Sequence, residues 1–437
     1  MSTLLSGHIK QHSLSMNVCG SQVPSGKVRV SGAKNAATRM MAAAMLTDEP
    51  VYLLNFPTEL VDVRQKARFI EALSGKVDLE KTSSSARFDC SNLTPTALED
   101  YNFPIRTTYL LAAGQLLREG KAFIPYPGGC NLGNRKYDLH IMVWEALGCR
   151  VEEKSDHIEI TGRLRGADIH FPISTVGGTE NALLCAAVST GKTRIYNAYV
   201  TPEIENLMDL LTLMGAKIKV NGTSLIEIEG VNYLRGATIQ VIPDRIEALT
   251  WIIFAAISRG NILVENVPFD LMEIPLLHLR KSGLDFFANS HAVWISDQSI
   301  PEYGLQPFEV ACGTHPGIIS DMQPFYVLLA LHSMGRSLVI DYRYPERTAY
   351  LEQLSRFYPG RIKWDSGQIV ISGDGKPIGT SVTSTDLRGS MALVLAGIIA
   401  KGESQIDKVQ MALRGYDKME EKLRSLGIRV AISTLNP

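Results

Sequence analysis

The 437-residue sequence has no cysteine pair at metal-ligand spacing, no apolar run long enough to span a bilayer, and almost no net charge. Its six cysteines, Cys19, Cys90, Cys130, Cys149, Cys185 and Cys312, are scattered without a CxxC. A zinc site or a disulfide frame is therefore not expected, and reduced thiols point to the cytoplasm. The opening residues lack the apolar core of a secretory leader, and no run approaches the roughly 18 residues a membrane span needs. A formal charge of −1 argues against a nucleic-acid partner, which calls for a basic face. The nine histidines show no HExxH or paired spacing, so no metal is expected and they read as exposed or capping residues. Ser189-Thr190-Gly191-Lys192-Thr193 imitates the end of a phosphate-binding P-loop. However, Ala186 stands where that motif needs glycine, and the stretch runs from helix to strand, the wrong order.

What is present is a large, two-sided supply of core. Hydrophobic residues make up 45% and charged residues 20%, the balance of a soluble globular protein too long for one core. Six times an Ala/Leu-rich run passes through a polar turn into a β-branched or aromatic run. The copies are Met40–Leu46 into Val51–Phe56, Tyr109–Leu117 into Ala122–Pro125, and Ala182–Val188 into Thr193–Asn197. They continue as Leu249–Ile257 into Asn261–Val267, Phe325–His332 into Ser337–Tyr342, and Met391–Ala400 into Ser404–Val409. The first halves read as buried helices and the second halves as strands. Between them recur glycines placed to end a helix in a left-handed cap: Gly75, Gly148, Gly215, Gly283, Gly360 and Gly427. The fold class is α/β, with six units dividing into two domains of three. The expected domains are 34–242, and 1–33 with 243–437.

Five places could carry chemistry. The stretch Pro127–His140 sets Cys130 beside Arg135 and Lys136 on glycine-rich backbone, where cations favour the thiolate. Lys34-Asn35 stands at a strand-to-helix turn, beside free backbone N–H groups that suit an anion. Arg106 opens the helix predicted over Thr107–Leu117, against the helix dipole. Asp321 precedes an apolar helix, where Ser320 or Asp321 could cap it or the carboxylate could act as a base. Arg347, Arg388 and Arg414 sit at helix entrances late in the chain; with Lys34 and Arg135 they suggest a pocket for a multiply charged phosphate ester.

Taken together, these stretches resemble the enolpyruvyl transferases, and within them the branch acting on UDP-N-acetylglucosamine, from about Val28 to Val430. The markers are Ser31-Gly32-Ala33-Lys34-Asn35, Pro127-Gly128-Gly129-Cys130, Asp138-Leu139-His140, Gly178-Thr179-Glu180-Asn181, Pro243-Asp244-Arg245, Ser320-Asp321-Met322-Gln323, Thr385-Asp386-Leu387-Arg388 and Arg414-Gly415-Tyr416. The resemblance implies an inside-out α/β barrel in each of two domains, closing around phosphoenolpyruvate and an acceptor alcohol. It implies Cys130, Asp321, Lys34 and Asp386 as the catalytic set. Cys130 would be the loop acid, at the position fosfomycin alkylates in the family, and Asp321 would take the acceptor's proton. Lys34, Arg135 and Arg414 would hold the phosphate of phosphoenolpyruvate, and Arg347 and Arg388 its carboxylate. Asn35, Arg106, Asp138, Leu139, Thr175, Val176, Gly177 and Asp321 would bind the acceptor, a uridine nucleotide. The family reaction requires no cofactor.

The departures fall on the acceptor side. Lys136 follows the loop arginine where the family has proline, and Ile173 stands where a lysine reaches the diphosphate. Val200 replaces an arginine before Thr201-Pro202-Glu203, and Met411-Ala412-Leu413 replaces His-Ile-Asp. Three readings stay open: transfer to UDP-N-acetylglucosamine, the same transfer to UMP in nucleoside-antibiotic biosynthesis, and a non-catalytic nucleotide-binding paralogue. The shikimate-phosphate branch lacks the Pro-Gly-Gly-Cys stretch and is a poorer match.

Overall fold

The structure is a computed structural model that describes residues 13–98, 101–103, 105–126 and 137–434. Its described residues form two compact units, one running from Ser31 to Asp244, the other comprising the residues before and after that span. Each unit has its own apolar core. No described helix is long and apolar enough to cross a membrane.

The architecture is α/β, with three repeats in each unit. At the centre of each repeat is a helix buried on nearly every side. These helices are Lys34–Ala44, Ala112–Glu119 and Val176–Ala187 in the first unit, and Arg245–Ser258, Gln323–Leu331 and Leu387–Ile399 in the second. Buried residues run unbroken over 36–44, 178–187, 245–257 and 388–398. Such helices are mostly apolar, which is why they read as Ala/Leu runs, and polar residues buried in them, such as Arg39 and Glu180, are paired. The sheets cover them. Their strands alternate in burial, as in His157–Thr161, where only Ile158 and Ile160 are buried, so one sheet face packs on helices and the other meets solvent.

Five of the six repeats are a lead-in strand, the buried helix, a parallel strand, a second helix and an antiparallel return; among the described residues the Ala112–Glu119 repeat has no lead-in strand. Asp168–Thr175 thus pairs parallel with Lys192–Ala198 across the helix Val176–Ala187. Glu309–Gly313 pairs likewise with Arg336–Asp341, and Ser381–Thr383 with Glu403–Asp407. At the two chain crossings the lead-in strands are exchanged. Ser25–Arg29 precedes the helix Lys34–Ala44 in sequence but pairs with Asn261–Glu265, while Thr238–Gln240 precedes Arg245–Ser258 but pairs with Val51–Leu54. The last repeat is completed by the N-terminal strand Leu14–Cys19, which lies between Glu403–Asp407 and Val430–Thr434.

Three local expectations are corrected. The first helix cap is not Gly75: Ser74 takes the left-handed conformation, with φ 68°, and Gly75 follows it. The Arg106 helix is two pieces, a 3-10 helix Arg106–Leu111 followed by the α-helix Ala112–Glu119, with Thr107 outside helical φ/ψ. His140 is neither exposed nor capping; it is buried.

Candidate active site

In the second unit the late arginines and both candidate carboxylates converge. Arg347 is buried and divides its guanidinium between two acids: Nη1 donates to Asp321 Oδ1 at 2.9 Å and Nη2 to Asp386 Oδ1 at 2.7 Å. Burial opposes its charge, but the carboxylates of Asp386 and Asp321 outweigh that and raise Arg347 above its ordinary value. Arg388, also buried, places Nε 3.6 Å from Asp321 Oδ2 and donates from Nη1 to the Gly415 carbonyl at 3.2 Å. Its guanidinium lies 5.2 Å from the centre of the Tyr416 ring. Arg388 therefore draws the Arg414-Gly415-Tyr416 stretch to the cluster, with Arg414 buried at the end of the short helix Gln410–Leu413.

Local structure explains these placements. Asp386 is the N-cap of Leu387–Ile399, its Oδ1 accepting from the N–H groups of Arg388 and Gly389, both at 3.1 Å. One carboxylate thus caps the helix that carries Arg388 and anchors Arg347. The capping role expected for Ser320 or Asp321 is corrected. Ser320–Met322 is a 3-10 helix whose N-cap is Ile319, without a side-chain cap, so Asp321 is turned to the two arginines instead.

In the first unit Lys34 opens its helix and pairs with Asp62, Nζ to Oδ2 at 2.7 Å. Asn35 follows it, half-buried. Behind them Arg39 donates from Nε to Glu180 Oε1 at 2.5 Å and from Nη1 to Asn35 Oδ1 at 3.4 Å. Lys66 is fully buried and donates to the Thr38 carbonyl at 2.7 Å. Burial, then neighbouring Arg39, pushes it well below the ordinary lysine range. Arg39, Asp62, Lys66 and Glu180 were missed by sequence reasoning. An arginine inside the Ala/Met run of the first helix was the available signal, since a cation there needs a buried partner.

Residues expected to bind the acceptor lie at helix starts in the same unit. Asp138 is the exposed first residue of Asp138–Ala146, where its charge suits the dipole. Leu139 follows it, half-buried. Thr175 caps Val176–Ala187, its Oγ1 accepting from Gly178 N at 3.3 Å. A Cβ on Gly177 would meet Tyr109 Oη at 2.7 Å and His140 Cε1 at 3.0 Å. Glycine thus lets the Thr175–Gly177 turn press on the 3-10 helix of Arg106 and the helix of Asp138. His140 stacks on Tyr109, ring centres 3.5 Å apart. Burial, then the nearby Arg106 charge, takes its pKa down to about 3, so it is neutral.

Cys130, Arg135 and Lys136 lie outside the described residues. Among the described cysteines Cys90, Cys149, Cys185 and Cys312 are buried, and burial pushes each thiol up, Cys90 to about 12 and Cys149 to about 11. Such thiols stay protonated and unreactive. No group of three or more potential metal ligands occurs among the described residues.

An arginine pair held by two carboxylates thus sits in an α/β unit of three repeats. Residues 19–423 match the family described as EPSP synthase (3-phosphoshikimate 1-carboxyvinyltransferase). The chain belongs to this family of enolpyruvyl transferases. It is 37% identical over 409 residues to UDP-N-acetylglucosamine 1-carboxyvinyltransferase from Koribacter versatilis, covering 93% of each chain. It is 36% identical to the enzyme of that name from Halothermothrix orenii, over 92% of this chain and 95% of the other. Among solved structures, the enolpyruvyl transferase NikO from Streptomyces tendae matches with a TM-score of 0.87 at 22% identity, over 97% of this chain and 100% of that one. EPSP synthase from Acinetobacter baumannii matches with a TM-score of 0.72 at 16% identity, over 96% and 100%.

Proposed function

We propose that the chain transfers the enolpyruvyl group of phosphoenolpyruvate to a hydroxyl of a uridine nucleotide, with release of phosphate. The observation that carries this reading is the buried arrangement of Arg347 and Arg388 around Asp321 and Asp386, in a member of the enolpyruvyl transferase family. The acceptor hydroxyl adds to C2 of the enol while C3 gains a proton. The tetrahedral ketal then expels phosphate, loses a C3 proton and regains the double bond.

Asp321 takes the hydroxyl proton in this scheme. Arg347 and Arg388 lie beside it and face the carboxylate of phosphoenolpyruvate. Fixed cations offset the charge that builds in the ketal without reorganising. Lys34, Arg135 and Arg414 serve the phosphate, and Cys130 is the proton donor to C3. Asn35, Arg106, Asp138, Leu139 and the Thr175–Gly177 turn serve the nucleotide. The substrates are small molecules, and the cytoplasm is the compartment this reading implies.

UDP-N-acetylglucosamine is the first acceptor to test, because the chain is similar along nearly its whole length to enzymes named for it. UMP is the second, on a specific observation: Ile173, in the strand that leads to Thr175–Gly177, is 55% exposed and supplies no cation for a diphosphate. The discriminating experiment incubates the chain with phosphoenolpyruvate and either nucleotide and measures phosphate. Release with UMP alone removes UDP-N-acetylglucosamine as the acceptor. Release with neither leaves the binding-only reading.

A further inference from the structure

We infer that Asp341 is a positioning residue for the proposed reaction: it holds the short turn that presents Asp321 to the acceptor and Arg347 to the donor. This rests on the function proposed above.

Asp341 is the last residue of the strand Arg336–Asp341, whose alternation turns Ser337, Val339 and Asp341 inward. It is buried, and its two carboxylate oxygens serve different ends. Oδ1 accepts from the backbone N–H groups of Arg343 and Tyr344, at 2.9 and 2.8 Å. That is the usual task of an aspartate at a turn, and one oxygen suffices for it. Oδ2 reaches another element, accepting from Ser320 Oγ at 2.6 Å and from Gln323 Nε2 at 3.0 Å. Gln323 is fixed from its other side, its Oε1 accepting from Tyr350 Oη at 2.8 Å.

Ser320 is the point of connection. Its carbonyl accepts from Arg347 Nη1 at 2.9 Å, the same nitrogen that donates to Asp321 Oδ1, and the next residue is Asp321 itself. A displacement of Ser320 therefore moves the proposed base and its arginine together. A buried carboxylate is costly unless its lone pairs are filled. Four donors fill this one, one of them from the 3-10 turn that carries Asp321 and one from the helix that follows it. A turn alone would be served as well by asparagine, whose single oxygen can take both backbone N–H groups. Asparagine leaves Ser320 and Gln323 facing an amide.

The test uses the full chain, phosphoenolpyruvate and whichever of UDP-N-acetylglucosamine or UMP supports phosphate release. Kcat and KM are measured for wild type, Asp341→Asn, Asp321→Asn and the double variant. Misplacement by about an ångström costs up to roughly 100-fold in rate, so Asp341→Asn is expected to lower kcat by about 10- to 100-fold. KM for phosphoenolpyruvate should rise as kcat falls, because Arg347 is displaced along with Ser320. The double variant should be about as slow as Asp321→Asn alone, because residues that act as one unit do not add. Losses that multiply in the double variant overturn the inference while leaving Asp321 as base. Wild-type kcat in Asp321→Asn overturns the functional reading and this inference together. Should Asp341→Asn fail to fold, Ser320→Ala reads the same link. It is expected to lower kcat by about 3- to 10-fold, with Ser320→Thr restoring it. Wild-type kcat in Ser320→Ala overturns the inference.

Discussion

Arg347 spans Asp321 and Asp386 with one planar group, and that geometry separates arginine from lysine. An ammonium is a point charge and cannot serve two carboxylates through fixed parallel donors. Arg347→Lys keeps the charge and loses one charge-assisted bond, worth about 1.5–3 kcal/mol. Kcat/KM for phosphoenolpyruvate is therefore expected to fall about 10- to 100-fold, measured by steady-state phosphate release. A folded Arg347→Lys protein at wild-type kcat/KM would remove the fork from the argument. Lys34, Arg347 and Arg388 were legible in sequence because they stand at helix entrances, whereas Arg414, expected at another, ends the helix Gln410–Leu413. Asp321 and Asp386, which pair with the arginines, were named too, but Asp62, the partner of Lys34, was not. Arg39 and Glu180 are 141 residues apart, and nothing in local spacing pairs them. Asp321 was legible as chemistry but equally as a cap, and only the 3-10 turn with Ile319 at its start decides between the two.

Helix ends make the next level of the argument. In the second repeat Gly148 N bonds to the Glu145 carbonyl and Cys149 N to that of Trp144; in the first, Ser74 N bonds to Glu71 and Gly75 N to Ile70. Ser74 is thus the counterpart of Gly148, and it pays a left-handed penalty that glycine avoids. Relief of about 1–2 kcal/mol, offset by the greater freedom of glycine in the unfolded chain, about 0.4–1 kcal/mol, leaves a net gain. Ser74→Gly is expected to raise stability by about 0.5–1 kcal/mol in urea unfolding; a loss would show that Ser74 makes a compensating contact.

Two other glycines report on the repeat itself. A Cβ at Gly230 would lie 1.8 Å from the Ser189 carbonyl oxygen, and one at Gly373 1.8 Å from that of Ser333. Strand return and helix end meet in the same way in both units. Gly230→Ala and Gly373→Ala should each cost about 1–3 kcal/mol, and a neutral result for either would mean that its backbone yields freely. The buried helices and the strands after them could be read from composition and turn residues. The exchange of lead-in strands leaned on the resemblance, which set residues 1–33 with the second domain, because Ser25–Arg29 and Thr238–Gln240 are short and their patterns name no partner.

Over the whole molecule, acid should act on both units through one inward imidazole in each, buried His140 and half-buried His332. His140 is held at about 3, chiefly by burial, and His332 at about 4, chiefly by burial with partial relief from Asp374. Both lie below the roughly 6.5 of an unfolded histidine. Between the folded and unfolded values the unfolded chain binds the extra proton, so stability rises with pH across that window. The contribution is complete above about pH 6.5 and is withdrawn as pH falls toward 4 and then 3. By pH 4 each histidine should have cost about 3 kcal/mol. His332 Nε2 shares a hydrogen bond with Tyr358 Oη at 2.8 Å, whereas His140 is held by stacking on Tyr109. His140→Phe keeps a ring against Tyr109 and removes the titration. Urea unfolding followed from pH 7 to 4 should then show a shallower fall in stability than wild type, with the residual slope carried by His332 and the carboxylates. An unchanged slope in His140→Phe would mean that the imidazole gains its proton without unfolding the segment Ser31–Asp244, through an opening that admits water beside Tyr109.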